Sequence, residues 1–235
     1  MTPLCARHSR AAPARAARTV AMAHFSGWVL SVVMARTTCR MSISLDGFVA
    51  GPSQGPGEPA GAGGLKLHEW HWHAGEPGHE ADAGQRDDLL KPRGAYVIGR
   101  NMFGPVRDEW AGDWRGWWGD EPPYHAPVFV LTRYPREPVE MRGGTTFHFV
   151  TSGFGVALER ARAAAGDDDV DIAGGASTVR QALAAAAIDE LVLDIVPVLL
   201  GAGERLFDGV RDPGLRPVQV VHSPYATHVR YSVGR

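Results

Sequence analysis

Two patterns of apolar and polar positions alternate along this chain: short runs that are apolar throughout, and longer runs with a helical period. Arg36 to Ile43 predicts a first strand, with Thr37, Thr38 and Ile43 suited to a pleated surface. Ala95 to Gly99, Pro127 to Thr132 and Thr145 to Thr151 predict further strands, the first two apolar enough to be buried on both faces. Asp169 to Ala173 predicts a short strand running into Gly174-Gly175. Asp189 to Leu200 predicts a long one, turned by Gly201-Ala202-Gly203. Val218 to Ser223 and Thr227 to Val233 form an expected antiparallel pair around Pro224.

The helical period appears three times. Glu80 to Lys91 reads as a short helix stopped by Pro92 and Gly94. Phe154 to Ala165 places Phe154, Leu158, Ala161 and Ala165 on one face, and Ser177 to Ala187 does the same with Val179, Leu183 and Ala186. Two stretches can only be loop: the Gly/Pro-rich segment from Gly51 to Gly64, and residues 104–126, which carry Trp110, Trp114, Trp117 and Trp118. Strands alternate with helices in the middle and pair as a hairpin at the end. The expected fold class is therefore α/β: a mixed, mostly parallel sheet with helices on both faces, in one domain.

Composition narrows the function classes. Hydrophobic residues make up 44% and charged residues 21% of 235, which is globular and excludes a disordered or fibrous chain. A net charge of −2 leaves no electrostatic footprint for nucleic acid. Two cysteines, Cys5 and Cys39, make neither a disulfide framework nor a cysteine zinc site, which points to a reducing, cytoplasmic location. Charge is uneven: Asp46 is the first carboxylate, and removing residues 1–33 takes away four arginines and moves the net charge to −6. Three readings of that head stand: a non-native extension with the true start at Met34 or Met41, a targeting segment ending near Val33-Met34-Ala35, or an extra ordered element. Its apolar run, interrupted by His24, Ser26 and Gly27, is too short and polar to span a membrane.

Open α/β sheets bind ligands at the carboxyl ends of their strands. Three strand-to-helix junctions here carry groups that suit a dinucleotide phosphate. Gly99-Arg100-Asn101 offers bare N–H groups and a guanidinium. Leu131-Thr132-Arg133 offers a hydroxyl and a guanidinium. Gly174-Gly175-Ala176-Ser177-Thr178 lets a pyrophosphate approach a helix start. Singly each is a common packing motif, and no Gly-x-Gly-x-x-Gly of an ordinary Rossmann site occurs. His68, His71, His73 and His79 with Glu69 make a solvated or pocket-lining cluster, with metal ligation the alternative. The tryptophan-rich loop reads as a pocket wall or a dimer contact.

Taken jointly, Ser42-Ile43-Ser44-Leu45-Asp46-Gly47-Phe48-Val49-Ala50, Val97-Ile98-Gly99-Arg100-Asn101-Met102-Phe103, Val130-Leu131-Thr132-Arg133, Gly174-Gly175-Ala176, Asp189-Glu190-Leu191 and Pro197 to Gly203 occur in an order that resembles the dihydrofolate reductase-like family. The branch is that of the reductase (C-terminal) domain of the bifunctional riboflavin-biosynthesis enzyme, and the resemblance covers about residues 37–233. It implies a DHFR-like three-layer α/β/α sandwich and an NADPH-dependent reductase acting on a C=N or C=O of a small heterocyclic substrate. By position it puts the phosphates on Gly99, Arg100 and Asn101, the 2′-phosphate on Thr132 and Arg133, the pyrophosphate on Gly174, Gly175, Ala176, Ser177 and Thr178, and the nicotinamide beside Ala50. Asp46 becomes the carboxylate for substrate orientation or proton delivery, against the plainer reading of an Asp-Gly turn. A homodimer is implied too, with the strand at Leu191–Leu200 either at its interface or central.

Several positions depart from that branch. Phe48 and the Gly/Pro-rich loop stand where a basic residue and a Ser-x-Trp segment meet the substrate phosphate. Ala173 replaces the acid before the double glycine. Neither His-x-Glu nor Pro-Cys-x-x-Cys of a zinc deaminase occurs. Reductase chemistry therefore carries over, and a ribosyl-phosphate substrate does not carry over with it. Glu80 and Asp82 are the candidates for a folate-pairing acid. A non-catalytic nucleotide-binding module on the same fold is the rival reading.

Overall fold

A computed structural model describes residues 35–104, 107–110 and 112–234. The expected extension at residues 1–33 lies outside them, and Met41 falls in the middle of the first strand. The chain runs β1 (Thr37–Ser44), β2 (Phe48–Ala50), α1 (Glu69–Trp72), α2 (Glu80–Leu89), β3 (Ala95–Gly99), α3 (Arg100–Phe103), β4 (Pro127–Leu131), β5 (Val139–Glu140) and β6 (Thr146–Val150). It continues through α4 (Phe154–Ala165), β7 (Val170–Ile172), α5 (Ala176–Ala184), β8 (Glu190–Val196), β9 (Glu204–Arg205), β10 (Leu215–His222) and β11 (Thr227–Val233). Among the described residues, nine strands form one sheet in the order β10-β11-β8-β1-β7-β3-β4-β6-β5, while β2 and β9 pair separately. The six from β8 to β6 are parallel, and β11, β10 and β5 are antiparallel to their neighbours.

Period-two alternation divides the core between the two faces of this sheet. Cys39, Ile43, Val97, Phe129, Leu191 and Leu193 face one side, against the apolar stripes of α4 and α5. Tyr96, Ile98, Val128, Val130 and Phe147 face the other, beneath Trp110, Trp114 and Trp118 of the long loop. On that second side Trp70 of α1 is fully buried with Leu67, Val196 and Ala226. This is the expected mixed sheet with helices on both faces and an antiparallel pair at the end.

The long strand differs from expectation at its far end. β8 stops at Val196 because Pro197 has no N–H to donate, and the next amide, Val198, turns back onto the Val196 carbonyl. β8 also lies between β1 and β11, so it is a central strand and no dimer edge. Helix α2 forms for a different reason than α4 and α5. Its acids Glu80 and Asp82 sit in the first turn, where the helix dipole favours them, and its one buried residue is the charged Asp82.

Candidate active site

Strand order brings β7, β3 and β4 side by side, so their three carboxyl-end junctions share one edge of the sheet. The β3 and β7 junctions are bonded directly: the Gly99 amide donates to the Gly174 carbonyl at 2.7 Å. Side chains are excluded there. A Cβ on Gly99 would lie 2.7 Å from the Thr178 Oγ1, and Gly174 sits at φ +105°, which L side chains rarely adopt. Gly175 is the N-cap of α5, and a Cβ placed on it would meet nothing within 4 Å. The backbone there is open to a ligand. Ser177 is exposed on the first turn of α5, Ala176 is buried, and Thr178 turns inward beneath Gly99.

At the β3–β4 side, Arg100 donates from Nη1 to the Thr132 hydroxyl at 3.0 Å and from Nη2 to the Asp108 carbonyl at 3.0 Å. Its Nε is buried without a hydrogen-bond partner. Burial, and after it the nearby Arg136 charge, lowers the guanidinium to about 10. Thr132 is committed to local structure, accepting also from the Tyr134 amide at 3.1 Å. Arg133 is exposed and makes no hydrogen bond or ion pair among the described residues. Asn101 contributes its carbonyl to the Trp117 indole N–H at 3.0 Å, fastening the tryptophan loop to α3.

Asp46 lies where β1 turns into β2, and its carboxylate is fully engaged. Oδ1 accepts from the Ser44 hydroxyl at 2.6 Å and the Leu200 amide at 3.1 Å, and Oδ2 from the Gly201 amide at 2.7 Å. The Ser44 hydroxyl first, then those backbone N–H groups, hold it down to about 2. Ser44 is a link that the Ser-Leu-Asp motif made findable but that sequence reading passed over. Ala50 is buried in β2, packed so closely on the 201–204 turn that a Cβ on Gly203 would strike its carbonyl. Next to it opens a groove of about 360 Å³, bordered by Ser53, Gln54, Arg107 and Glu204. That volume lies in the range of small-molecule clefts, roughly 300–1,000 Å³.

The remaining candidates make contacts within the fold. Asp82 is buried and bonded to His228 Nε2 at 3.0 Å, while Glu80 accepts from the Gly78 amide at 3.2 Å. His73 stacks on Tyr225 with His79 tilted beside it, and His71 packs edge-on against both His68 and Trp70. Burial pushes both His68 and His71 down, His71 to about 4. The tryptophan loop is a wall over β3, β4 and β6, with Trp114 donating to the Phe103 carbonyl at 2.8 Å. Sequence reading also missed Arg136, which no motif distinguishes from the chain's other surface-coded arginines.

A profile of the RibD C-terminal domain matches residues 36–229. No curated protein sequence matches the chain. Among solved structures, the chain is similar to a protein from Shewanella sp. PV-4 described under riboflavin biosynthesis, with a TM-score of 0.57, 20% identity, and 85% of this chain and 99% of that one covered. A pyrimidine reductase-like protein from Corynebacterium diphtheriae gives a TM-score of 0.52 at 18% identity, covering 86% and 92%. The diaminohydroxyphosphoribosylaminopyrimidine deaminase/5-amino-6-(5-phosphoribosylamino)uracil reductase of Thermotoga maritima gives 0.53 at 16% identity, covering 86% of this chain and 57% of that one. These likenesses share a fold with a sheet whose β7, β3 and β4 ends meet at one edge, and the profile match spans nearly all of that sheet: the chain belongs to the RibD C-terminal domain family.

Proposed function

We propose that this chain is an NADPH-dependent reductase of the riboflavin-pathway type, acting on a C=N or C=O carbon of a small heterocyclic substrate. The adjacency of the β7, β3 and β4 junctions carries the reading, because it gathers glycine backbone and a guanidinium along one edge. The groups present fit a dinucleotide: open backbone at Gly175, an orphaned buried Nε on Arg100, and an exposed hydroxyl on Ser177 at the start of α5. When bound, the nicotinamide cofactor supplies the hydride. Gly174, Gly175, Ala176 and Ser177 hold the pyrophosphate, with Thr178 supporting Gly99 from below. Gly99, Arg100 and Asn101 meet the phosphates, Thr132 and Arg133 the 2′-phosphate end, and Ala50 the nicotinamide side.

Asp46 stays ionised at neutral pH, so its part is orientation and not proton delivery. It ties the β1–β2 turn to Leu200 and Gly201, and so fixes one wall beside Ala50. The groove next to Ala50 receives the substrate. The name of the Thermotoga maritima neighbour makes pyrimidines the class to test first. A homodimer that leaves β8 internal, and a cytoplasmic location consistent with the unpaired, buried Cys39, belong to the same proposal. No helix among the described residues is long and apolar enough to cross a membrane.

Loss of reduced-nicotinamide absorbance with a panel of pyrimidine substrates tests the activity. Asp46→Asn should lower turnover on the order of a hundredfold through misplacement, with NADPH affinity within about twofold of wild type. Full turnover in that variant would remove Asp46 from the site. Tight NADPH binding with no turnover on any substrate would favour the non-catalytic module.

A further inference from the structure

We propose that Arg136 is a specificity-determining residue of this site, forming with Arg100 a two-guanidinium clamp for a phosphate monoester dianion on the cofactor. The inference rests on the cofactor reading above and assigns its phosphate selectivity to a residue outside the family motifs. Arg136 lies in the loop that follows β4, three residues beyond the exposed Arg133.

Several arginines of this fold are neutralised by carboxylates. Arg36, Arg40, Arg107 and Arg230 all form ion pairs with Asp or Glu. Arg100 and Arg136 form none among the described residues. Asp108 and Asp113 act on them only at a distance, and a third arginine, Arg115, adds to the positive field at Arg136. Arg115 itself bonds a backbone carbonyl, that of Glu140.

Aromatic rings pack against both guanidiniums. The Arg100 Cζ lies 3.0 Å from the centre of the Trp110 ring, and the Arg136 Cζ lies 5.0 Å from Trp110, 5.3 Å from Phe149 and 5.7 Å from Phe103. Trp110 is itself held by its indole N–H on the Tyr134 carbonyl at 3.0 Å. Rings satisfy the faces of a guanidinium but not its in-plane N–H donors. Those donors are what remain: Nε of Arg100 and Nη1 of Arg136 are buried and unpartnered. Two like charges drawn together, partly desolvated and short of acceptors, are unfavourable in the free chain. Burial accordingly lowers both guanidiniums, helped at Arg100 by the charge of Arg136 and at Arg136 by that of Arg115.

A dianion resolves all three deficits together. It cancels the repulsion, supplies acceptor oxygens to the orphaned donors, and accepts in-plane, charge-assisted hydrogen bonds from a planar fork held in place by packing. A dinucleotide without the extra phosphate offers no such charge here. Arg133, exposed and unconstrained, loses side-chain freedom on binding and so contributes less than Arg136.

The test is equilibrium titration of the full chain with NADPH, NADH and 2′,5′-ADP, read by tryptophan fluorescence, for wild type, Arg136→Ala and Arg136→Gln. The Gln variant keeps most of the stem on the rings and covers the case where Ala perturbs the loop. Expected is a loss of about tenfold to a hundredfold for NADPH and 2′,5′-ADP in both variants, with NADH changed less than about twofold. Unchanged NADPH affinity, or equal losses for NADPH and NADH, would overturn the proposal. Arg136-dependent binding of 2′,5′-ADP without binding of either dinucleotide would uphold the anion clamp and sink the cofactor reading. Binding of none of the three probes by wild type would sink both.

Discussion

A carboxylate wrapped by a hydroxyl and two backbone amides is built to stay charged, and that is the basis of the orienting part proposed for Asp46. Its lowered value means that its stabilising contacts are complete above the ordinary carboxylate range and are lost only as pH falls through about 2. No break in a pH–rate profile between pH 4 and 8 should therefore trace to Asp46, and Ser44→Ala, which removes the largest lowering contact, should leave that window flat. A limb in this window that moves with Ser44→Ala would contradict the assignment. Gly99 makes a second residue-scale case. Gly99→Ala should destabilise by about 1–3 kcal/mol through overpacking against Thr178, and adding Thr178→Ala should recover most of it. Urea unfolding of the single and double variants decides; no recovery would mean that the clash lies elsewhere. Motif reading finds Asp46 and Gly99 because each sits in a short run, Ser-Leu-Asp-Gly and Val-Ile-Gly-Arg, that is readable locally, although their partners Leu200, Gly201, Gly174 and Thr178 lie far along the chain. Arg136 escapes it because its partners Trp110, Phe103 and Phe149 are set by tertiary packing alone.

Helix α2 carries the lesson at the scale of elements. Its pattern and stop signal are readable, yet its face toward the sheet is charged where an apolar stripe would be expected. The reason lies in strands far along the chain. His228 of β11 stands between Asp82 of α2 and Asp194 of β8, at 3.0 and 2.7 Å. Arg40 of β1 holds Asp194 at 2.7 Å and Asp88 of α2 at 3.1 Å, and Arg230 of β11 holds Asp88 at 2.7 Å. Both ring nitrogens of His228 face carboxylate oxygens, so the ring bridges α2 to the sheet. Removing it leaves buried acids opposed, and His228→Ala should cost about 3–5 kcal/mol, with hydrogen exchange in α2 accelerating before the sheet loosens. A loss under about 1 kcal/mol would show that apolar contacts elsewhere hold the helix. Boundaries of α4 and β3 are legible because α4 keeps a helical period between Gly153 and Gly166 and β3 is a short apolar run between Gly94 and Gly99. Those of β8 are not, since the apolar run continues past Pro197 while its pairing cannot.

The whole molecule couples pH to stability through the same polar layer. Asp171 of β7, bonded by the Thr38 hydroxyl at 2.6 Å, is pushed up to about 6 by burial, against the milder pull of Arg93 and Arg40. The folded chain thus holds a proton there that the unfolded chain releases at lower pH. Stability at this site falls as pH rises from about 4 to about 6 and stays reduced above that. Asp171→Asn, which can still accept from Thr38, should match wild type near pH 4 and exceed it at pH 8 by up to about 3 kcal/mol. Equal stability of the two at both pH values would contradict this. The order of strands, which puts the β7, β3 and β4 junctions on one edge, follows from no local pattern. Alternation of strands and helices implies a parallel sheet, but not which ends meet; the joint order of motifs, read as a family resemblance, supplied that.

The most direct measurement is titration of the full chain with NADPH, followed by tryptophan quenching, in wild type and Arg100→Ala. A cofactor edge formed by Gly99, Arg100 and Gly174–Ser177 predicts saturable quenching in wild type and an affinity reduced by about tenfold or more in the variant. Absence of quenching in wild type, or an affinity that Arg100→Ala leaves unchanged, would contradict it.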